Sequence, residues 1–98
     1  MAIGSGHPSV AFNAAGIASA PSASGVYAIY NSQRWIYVGE SSDIQRRLGE
    51  HFAAQGTCIK DHAPAAFQYE LVAAAQRVAR QDALIVALNP ACVERAGA

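Results

Sequence analysis

The chain has 98 residues, with seven Lys or Arg against seven Asp or Glu and 52% hydrophobic residues. That length supports one core and not two. The charge balance excludes a broad basic surface, so any grip on nucleic acid must be weak or confined to a local patch. No apolar run approaches a membrane span, so no membrane partner is expected.

The opening "MAIGSGHPSVAF" has neither the basic region nor the continuous apolar stretch of a secretory signal. A cytoplasmic protein is the expectation. Cys58 and Cys92 form no CxxC pair, so two reduced thiols are expected. Residues 1–24 contain no Asp, Glu, Lys or Arg and are rich in Gly, Ala, Ser and Pro. They read as a flexible N-terminal arm with a short helical turn around Val10 to Ile17. Its apolar residues Val10, Phe12 and Ile17 are positioned to dock on the domain, which spans residues 25–98.

"GVYAIY" and "WIYVG" are rich in β-branched and aromatic residues and predict two strands, Gly25–Tyr30 and Trp35–Gly39. The polar "NSQR" between them is a turn. The period then changes: Ile44, Leu48 and Phe52 recur every four residues and predict a helix. Ser42 and Gln45 suit a capping box, and Asp43 suits the first turn. Gly49, inside this helix, costs about 1 kcal/mol relative to alanine and suggests close packing on another backbone. Residues 53–65 read as a loop or short broken helix. "AFQYELVA" alternates as a third strand, and a second helix runs from Ala74 to Leu88 before Asn89-Pro90. The order β-β-α-β-α predicts an α+β domain, a three-stranded antiparallel sheet flanked by helices.

The hairpin has two readings. A three-residue turn pairs positions whose numbers sum to 64, and Tyr27 then faces Tyr37. A four-residue turn gives a sum of 65 and sends the two phenols to opposite faces. Tyrosine is a good cross-strand residue in either register. On the following helix Arg47 and His51 are four apart and share an edge. Arg47 can fork onto a phosphate, and His51 can relay a proton near neutrality. The plain alternative is that Arg47 pairs with Asp43, Arg46 pairs with Glu50, and His51 closes the core edge.

"GVY" at Gly25–Tyr27, "YVG" at Tyr37–Gly39, "DIQRRLGEHF" at Asp43–Phe52 and "ARQDALIVALNP" at Ala79–Pro90 together resemble the GIY-YIG nuclease family. The resemblance covers most of the chain, from Gly25 to Pro90. It implies hydrolysis of a DNA phosphodiester with Mg²⁺ or Mn²⁺, on single-stranded or branched DNA. It implies that Tyr27 activates the attacking water, Tyr37 orients it, Arg47 holds the phosphate and His51 assists as proton acceptor or phosphate ligand, with Gly39 and Arg46 contacting substrate. The tyrosines must then share a face, which requires the register summing to 64.

Three departures stand out. The family's metal-binding glutamate falls at Gln81, a poor ligand for a hard cation. Gln81 lies in a predicted stripe with Ala74, Val78, Ile85 and Leu88, and Asp82 beside it is the nearest carboxylate in sequence. Glu40 places a negative charge near the phosphate path. The family's asparagine after the proline is missing from "PACVE". These departures open an alternative, a degenerate GIY-YIG-like module that binds nucleic acid or a protein partner. Substrate choice, which the family often takes from extra domains, would fall to residues 1–24 or a homodimer interface.

Overall fold

The computed structural model describes residues 8–93. In chain order its elements are β1 (Val10–Ala11), α1 (Ala14–Ala18), β2 (Gly25–Tyr30), β3 (Trp35–Ser41), α2 (Ile44–Ala53), α3 (Cys58–Asp61), β4 (Ala66–Leu71), a 3₁₀ turn (Ala74–Gln76) and α4 (Arg77–Leu88). The predicted β-β-α-β-α order is present from β2 to α4. The sheet is antiparallel with order β1-β4-β2-β3, so it has four strands where three were expected.

The fourth strand comes from the segment read as an arm. Val10 and Ala11 pair with Phe67 and Ala66, while Phe12, Ile17 and Ala20 are buried in the core. Residues 8–24 are thus built into the fold through the apolar side chains marked for docking. Polar bonds reinforce them. Gln45 Nε2 donates to the carbonyls of Ala18 and Ala20 at 3.0 and 3.1 Å. The carbonyls of Ala23 and Pro21 accept from the first N–H groups of α2, Ile44 and Gln45. Gln45 therefore does not close a capping box with Ser42. Asp43 is the N-cap instead and accepts from Arg46 N at 3.0 Å. That bond, with the Ser22 hydroxyl second, holds the Asp43 carboxyl below its ordinary pKa.

The hairpin starts in the four-residue register, summing to 65, and beyond the turn follows neither predicted register. Its turn has four residues, with Tyr30 opposite Trp35. Asn31 Oδ1 closes it by accepting from Gln33 N and Arg34 N at 2.8 and 3.0 Å. Between the pairs Tyr30–Trp35 and Ile29–Tyr37, β3 carries one extra residue, Ile36, as a bulge. Beyond it the partners sum to 66: Tyr27 lies opposite Gly39, and Ile29 opposite Tyr37. The even sum returns Tyr27 and Tyr37 to one face, as diagonal neighbours.

Two cores form on the two faces of the sheet. On one, Tyr27, Ile29, Tyr37 and Phe67 pack with Phe12, Ile17, Ile44, Leu48 and Ile59. On the other, Val26, Ala28 and Val38 pack against Leu84 of α4. The α2 stripe is Ile44, Leu48 and His51, all buried, while Phe52 is displaced to the surface against Phe12. A helix turning 3.6 residues per turn buries position 51 rather than 52 seven or eight residues after Ile44. In α4, Val78 is 58% exposed, so the apolar stripe predicted through it is rotated toward Arg77 and Leu84. α4 ends at Asn89, whose left-handed φ of 48° suits asparagine, with Pro90 following.

Gly49 meets nothing: a Cβ built there has no neighbour within 4 Å. The close packing expected of it is absent. Gly49→Ala should stabilise the protein by about 0.5–1 kcal/mol in urea denaturation. In the same assay Phe12→Ala should cost about 3–5 kcal/mol; a loss under about 0.5 kcal/mol would show residues 8–24 to be dispensable to the core.

Candidate active site

β-strand alternation and the bulge bring Tyr27 and Tyr37 under α2, which supplies His51 from its last turn. Tyr27 Oη and His51 Nε2 are hydrogen-bonded at 2.8 Å. The imidazole also packs on both phenols, 4.9 Å from the Tyr37 ring centroid and 5.7 Å from that of Tyr27. The two tyrosine rings are 6.1 Å apart. All three side chains are buried, Tyr27 to 1% exposure.

Gly39 makes this cluster fit. It lies directly opposite Tyr27, and a Cβ there would come within 2.5 Å of Tyr27 Oη and 2.8 Å of Tyr37 Cε2. Buried ring atoms held by packing cannot yield that much space. The glycine of "YVG" is therefore the floor on which the phenol rests.

A cavity of about 440 Å³ opens beside the cluster, lined by Tyr37 and His51 together with Thr57, Cys58, Ile59 and Ala91–Val93. Tyr27 does not reach this lining and stands behind His51. Arg47 lies one turn before His51 on α2. It donates to Glu50 at 3.0 Å in a pair whose side chains are 32% and 49% exposed. The alternative pairings of Arg47 with Asp43 and Arg46 with Glu50 are thus replaced by Arg47 with Glu50, and Arg46 is exposed. A surface pair of this kind contributes roughly 0–1 kcal/mol.

α4 lies on the opposite face of the sheet from His51, beside the edge strand β3. Arg77 on α4 pairs with Glu40 of β3 at 3.2 Å and also donates to Ser24 Oγ. The Glu40 charge that departed from the family pattern is therefore matched by a guanidinium. Arg80 forks onto Glu70 at 2.7 and 3.2 Å. Gln81 sits half-buried between Arg77 and Leu84, and its amide donates to Asp82 Oδ1 at 3.5 Å. Asp82 itself is exposed. One amide oxygen and one exposed carboxylate do not fit a resident hard cation, which takes several charged oxygens.

Sequence reasoning passed over the group formed by Cys58, His62 and Cys92, whose ligand atoms lie within 4.8 Å of one another. The two cysteines, expected as free thiols, are joined as a disulfide. Only the fold brings them together. Ala91 N and Cys92 N donate to the carbonyls of Trp35 and Ile36 at 3.1 and 2.8 Å, which sets Cys92 along β3 and beside α3.

A family model described as the GIY-YIG catalytic domain matches residues 23–82. No curated protein matches the sequence. Among solved structures, the chain is similar to point mutants of the GIY-YIG N-terminal endonuclease domain of UvrC from Thermotoga maritima. One, an asparagine mutant bound to its catalytic divalent cation, superposes with a TM-score of 0.69 at 23% identity, covering 81% of this chain and 91% of that one. A tyrosine mutant, likewise cation-bound, gives 0.66 at 23% identity, covering 76% and 87%. Among the described residues no helix is long and apolar enough to cross a membrane.

Gly39→Ala should lower stability by about 1–3 kcal/mol and shift the aromatic NMR resonances of Tyr27 and Tyr37. Unchanged ring shifts in a folded variant would show that the phenol does not rest on this glycine.

Proposed function

This chain belongs to the GIY-YIG family, and from that premise we propose that it hydrolyses DNA phosphodiester bonds at the cavity beside Tyr37 and His51. The observation that supports the reading is the 2.8 Å hydrogen bond between Tyr27 and His51, inside a buried aromatic cluster that meets the cavity. A proton acceptor for an attacking water has to be held in place by a partner that tolerates its change of charge. His51 lines the cavity and takes that role. With Nε2–H donating to Tyr27 Oη, the ring is fixed and the charge it gains faces a phenol oxygen. Tyr27 is then a positioning residue for His51 rather than the group that meets the water. Tyr37 orients the water from the cavity wall.

Arg47 leaves Glu50 for the phosphate and offsets the negative charge that grows on it. Arg46, exposed on the same helix, adds a backbone phosphate contact. A neutral chain that engages so few phosphates suits single-stranded or branched DNA better than long duplex. No step here is routed through Mg²⁺ or Mn²⁺, because Gln81 and Asp82 do not fit the cation and lie on α4, across the sheet from His51.

A second reading has its own support. The hydrogen bond of Gln81 to Asp82 occupies the position where the family pattern has a carboxylate, which favours a module that binds DNA without cutting it. One assay separates the two. With Mg²⁺ or Mn²⁺, the wild type should nick single-stranded or branched DNA, and Arg47→Ala should slow it at least about 100-fold while remaining folded. Cleavage by Gln81→Glu but not by wild type would establish the binding module. Inactivity of both proteins on single-stranded, duplex and branched DNA would sink the hydrolytic reading.

A further inference from the structure

Three ligand side chains converge at the cavity, Cys58 and Cys92 in its wall and His62 beside them, and the nuclease reading gives none of the three a role. Cys58 opens α3, His62 follows the last residue of α3, and Cys92 comes from the segment after α4. His62 Nδ1 is 3.9 Å from Cys58 Sγ and 3.7 Å from Cys92 Sγ. A tetrahedral cation would use all three of these atoms. With metal–sulfur bonds of about 2.3 Å and metal–nitrogen bonds of about 2.0–2.1 Å, a sulfur–nitrogen edge comes to roughly 3.6 Å. Both imidazole–sulfur edges are already close to that length, and the remaining change is for the two sulfurs to part.

We infer that, in the reduced chain, Cys58, Cys92 and His62 form a binding site for a thiophilic divalent cation of the Zn²⁺ class, with the disulfide as its oxidised, metal-free form.

Each ligand is carried on anchored backbone. Cys92 N donates to Ile36 O at 2.8 Å. Asn31 Nδ2 donates to the His62 carbonyl at 2.7 Å, tying the residue to the hairpin turn. α3 is capped by Thr57, which accepts from Lys60 N, and pinned by the buried Ile59. The side-chain atoms keep freedom to adjust, because Cys58 is exposed. His62 Nδ1 also lies 2.9 Å from the Cys58 carbonyl and caps the helix there. Metal binding exchanges that hydrogen bond for a coordinate bond.

Opening the disulfide takes two electrons from a thiol or phosphine reductant, with the two protons supplied by the thiols or, for the phosphine, by a water whose oxygen passes to phosphorus. The cation then displaces the two thiol protons and is held by two thiolates and one neutral imidazole. Two sulfurs and one imidazole nitrogen select Zn²⁺ over Mg²⁺ or Ca²⁺ by softness. Three protein ligands leave the fourth position to water. The cation would replace the disulfide as the link between α3 and the segment after α4, the two elements that wall the cavity beside Tyr37 and His51.

The test uses the full chain and no DNA, so it stands apart from the nuclease reading. The protein is reduced with a phosphine, freed of metal by chelation, and titrated anaerobically with Co²⁺. The expected result is a thiolate-to-cobalt charge-transfer band and the visible bands of a tetrahedral ion, saturating at one Co²⁺ per chain and bleached by Zn²⁺. Cys58→Ser and Cys92→Ser should each remove the one-to-one site. His62→Gln should weaken binding at least tenfold while leaving the thiolate band. A reduced wild type without these bands at one equivalent overturns the proposal, and that titration decides it without any variant. Unchanged affinity in His62→Gln would overturn the three-ligand site in favour of binding by the thiols alone.

Discussion

One extra residue in β3 decides what this hairpin is for. The four-residue turn closed by Asn31 would by itself place Tyr27 and Tyr37 on opposite faces of the sheet. The bulge at Ile36 shifts the pairing by one more position, and because strand side chains alternate with a period of two, that single step restores both phenols to the α2 side. The bulge is held from outside the hairpin: the carbonyls of Trp35 and Ile36 accept from Ala91 and Cys92. These bonds also cover part of the outer edge of β3, which would otherwise offer unpaired groups to another chain. The segment after α4 thus secures the register of a strand some fifty residues before it in sequence.

With that face set, the rest of the cluster follows from close packing. Tyr27 comes to rest over Gly39, where no side chain can stand. Its hydroxyl needs a polar partner in a buried place, and His51 supplies one. The same demand explains why α2 buries a histidine and leaves Phe52 outside. The cluster is both a piece of core and a polar site, and its dual character leaves little slack for substitution at Gly39, Tyr27 or His51.

The charges of the other face are spent on structure. Arg77 holds Glu40 and Arg80 holds Glu70, so two of the basic residues tie α4 to the sheet and offer little to a polyanion. Of the other described basic residues, Arg47 sits in a surface pair, Lys60 lies over the Phe52 ring, and Arg34 and Arg46 are exposed. The zero net charge of the chain is consistent with this division. It points to recognition by a few placed groups rather than by a field.

Element identities were legible in the residues because they depend on local patterns: β-branched and aromatic runs for β2 and β3, the four-residue spacing of Ile44 and Leu48, alternation in β4, Asn-Pro after α4. The motif residues Tyr27, Tyr37, Gly39, Arg47 and His51 were legible through the resemblance of their spacing to the GIY-YIG pattern, while the strand period alone left open whether the two phenols share a face. Four features were not. The bulge depends on Ala91 and Cys92 meeting β3. The docking of Val10, Phe12 and Ile17 was expected, but strand β1 depends on Val10 and Ala11 meeting β4. The Arg77–Glu40 pair spans 37 positions, and the Cys58–His62–Cys92 group joins two distant segments. The sequence by itself determined the periods, and through them the strands and the helices, and its motif spacing carried the resemblance that implies the chemistry. Only tertiary structure decided register parity, charge pairing and the meeting of the soft ligands, because each is a contact between segments whose separation no local pattern encodes.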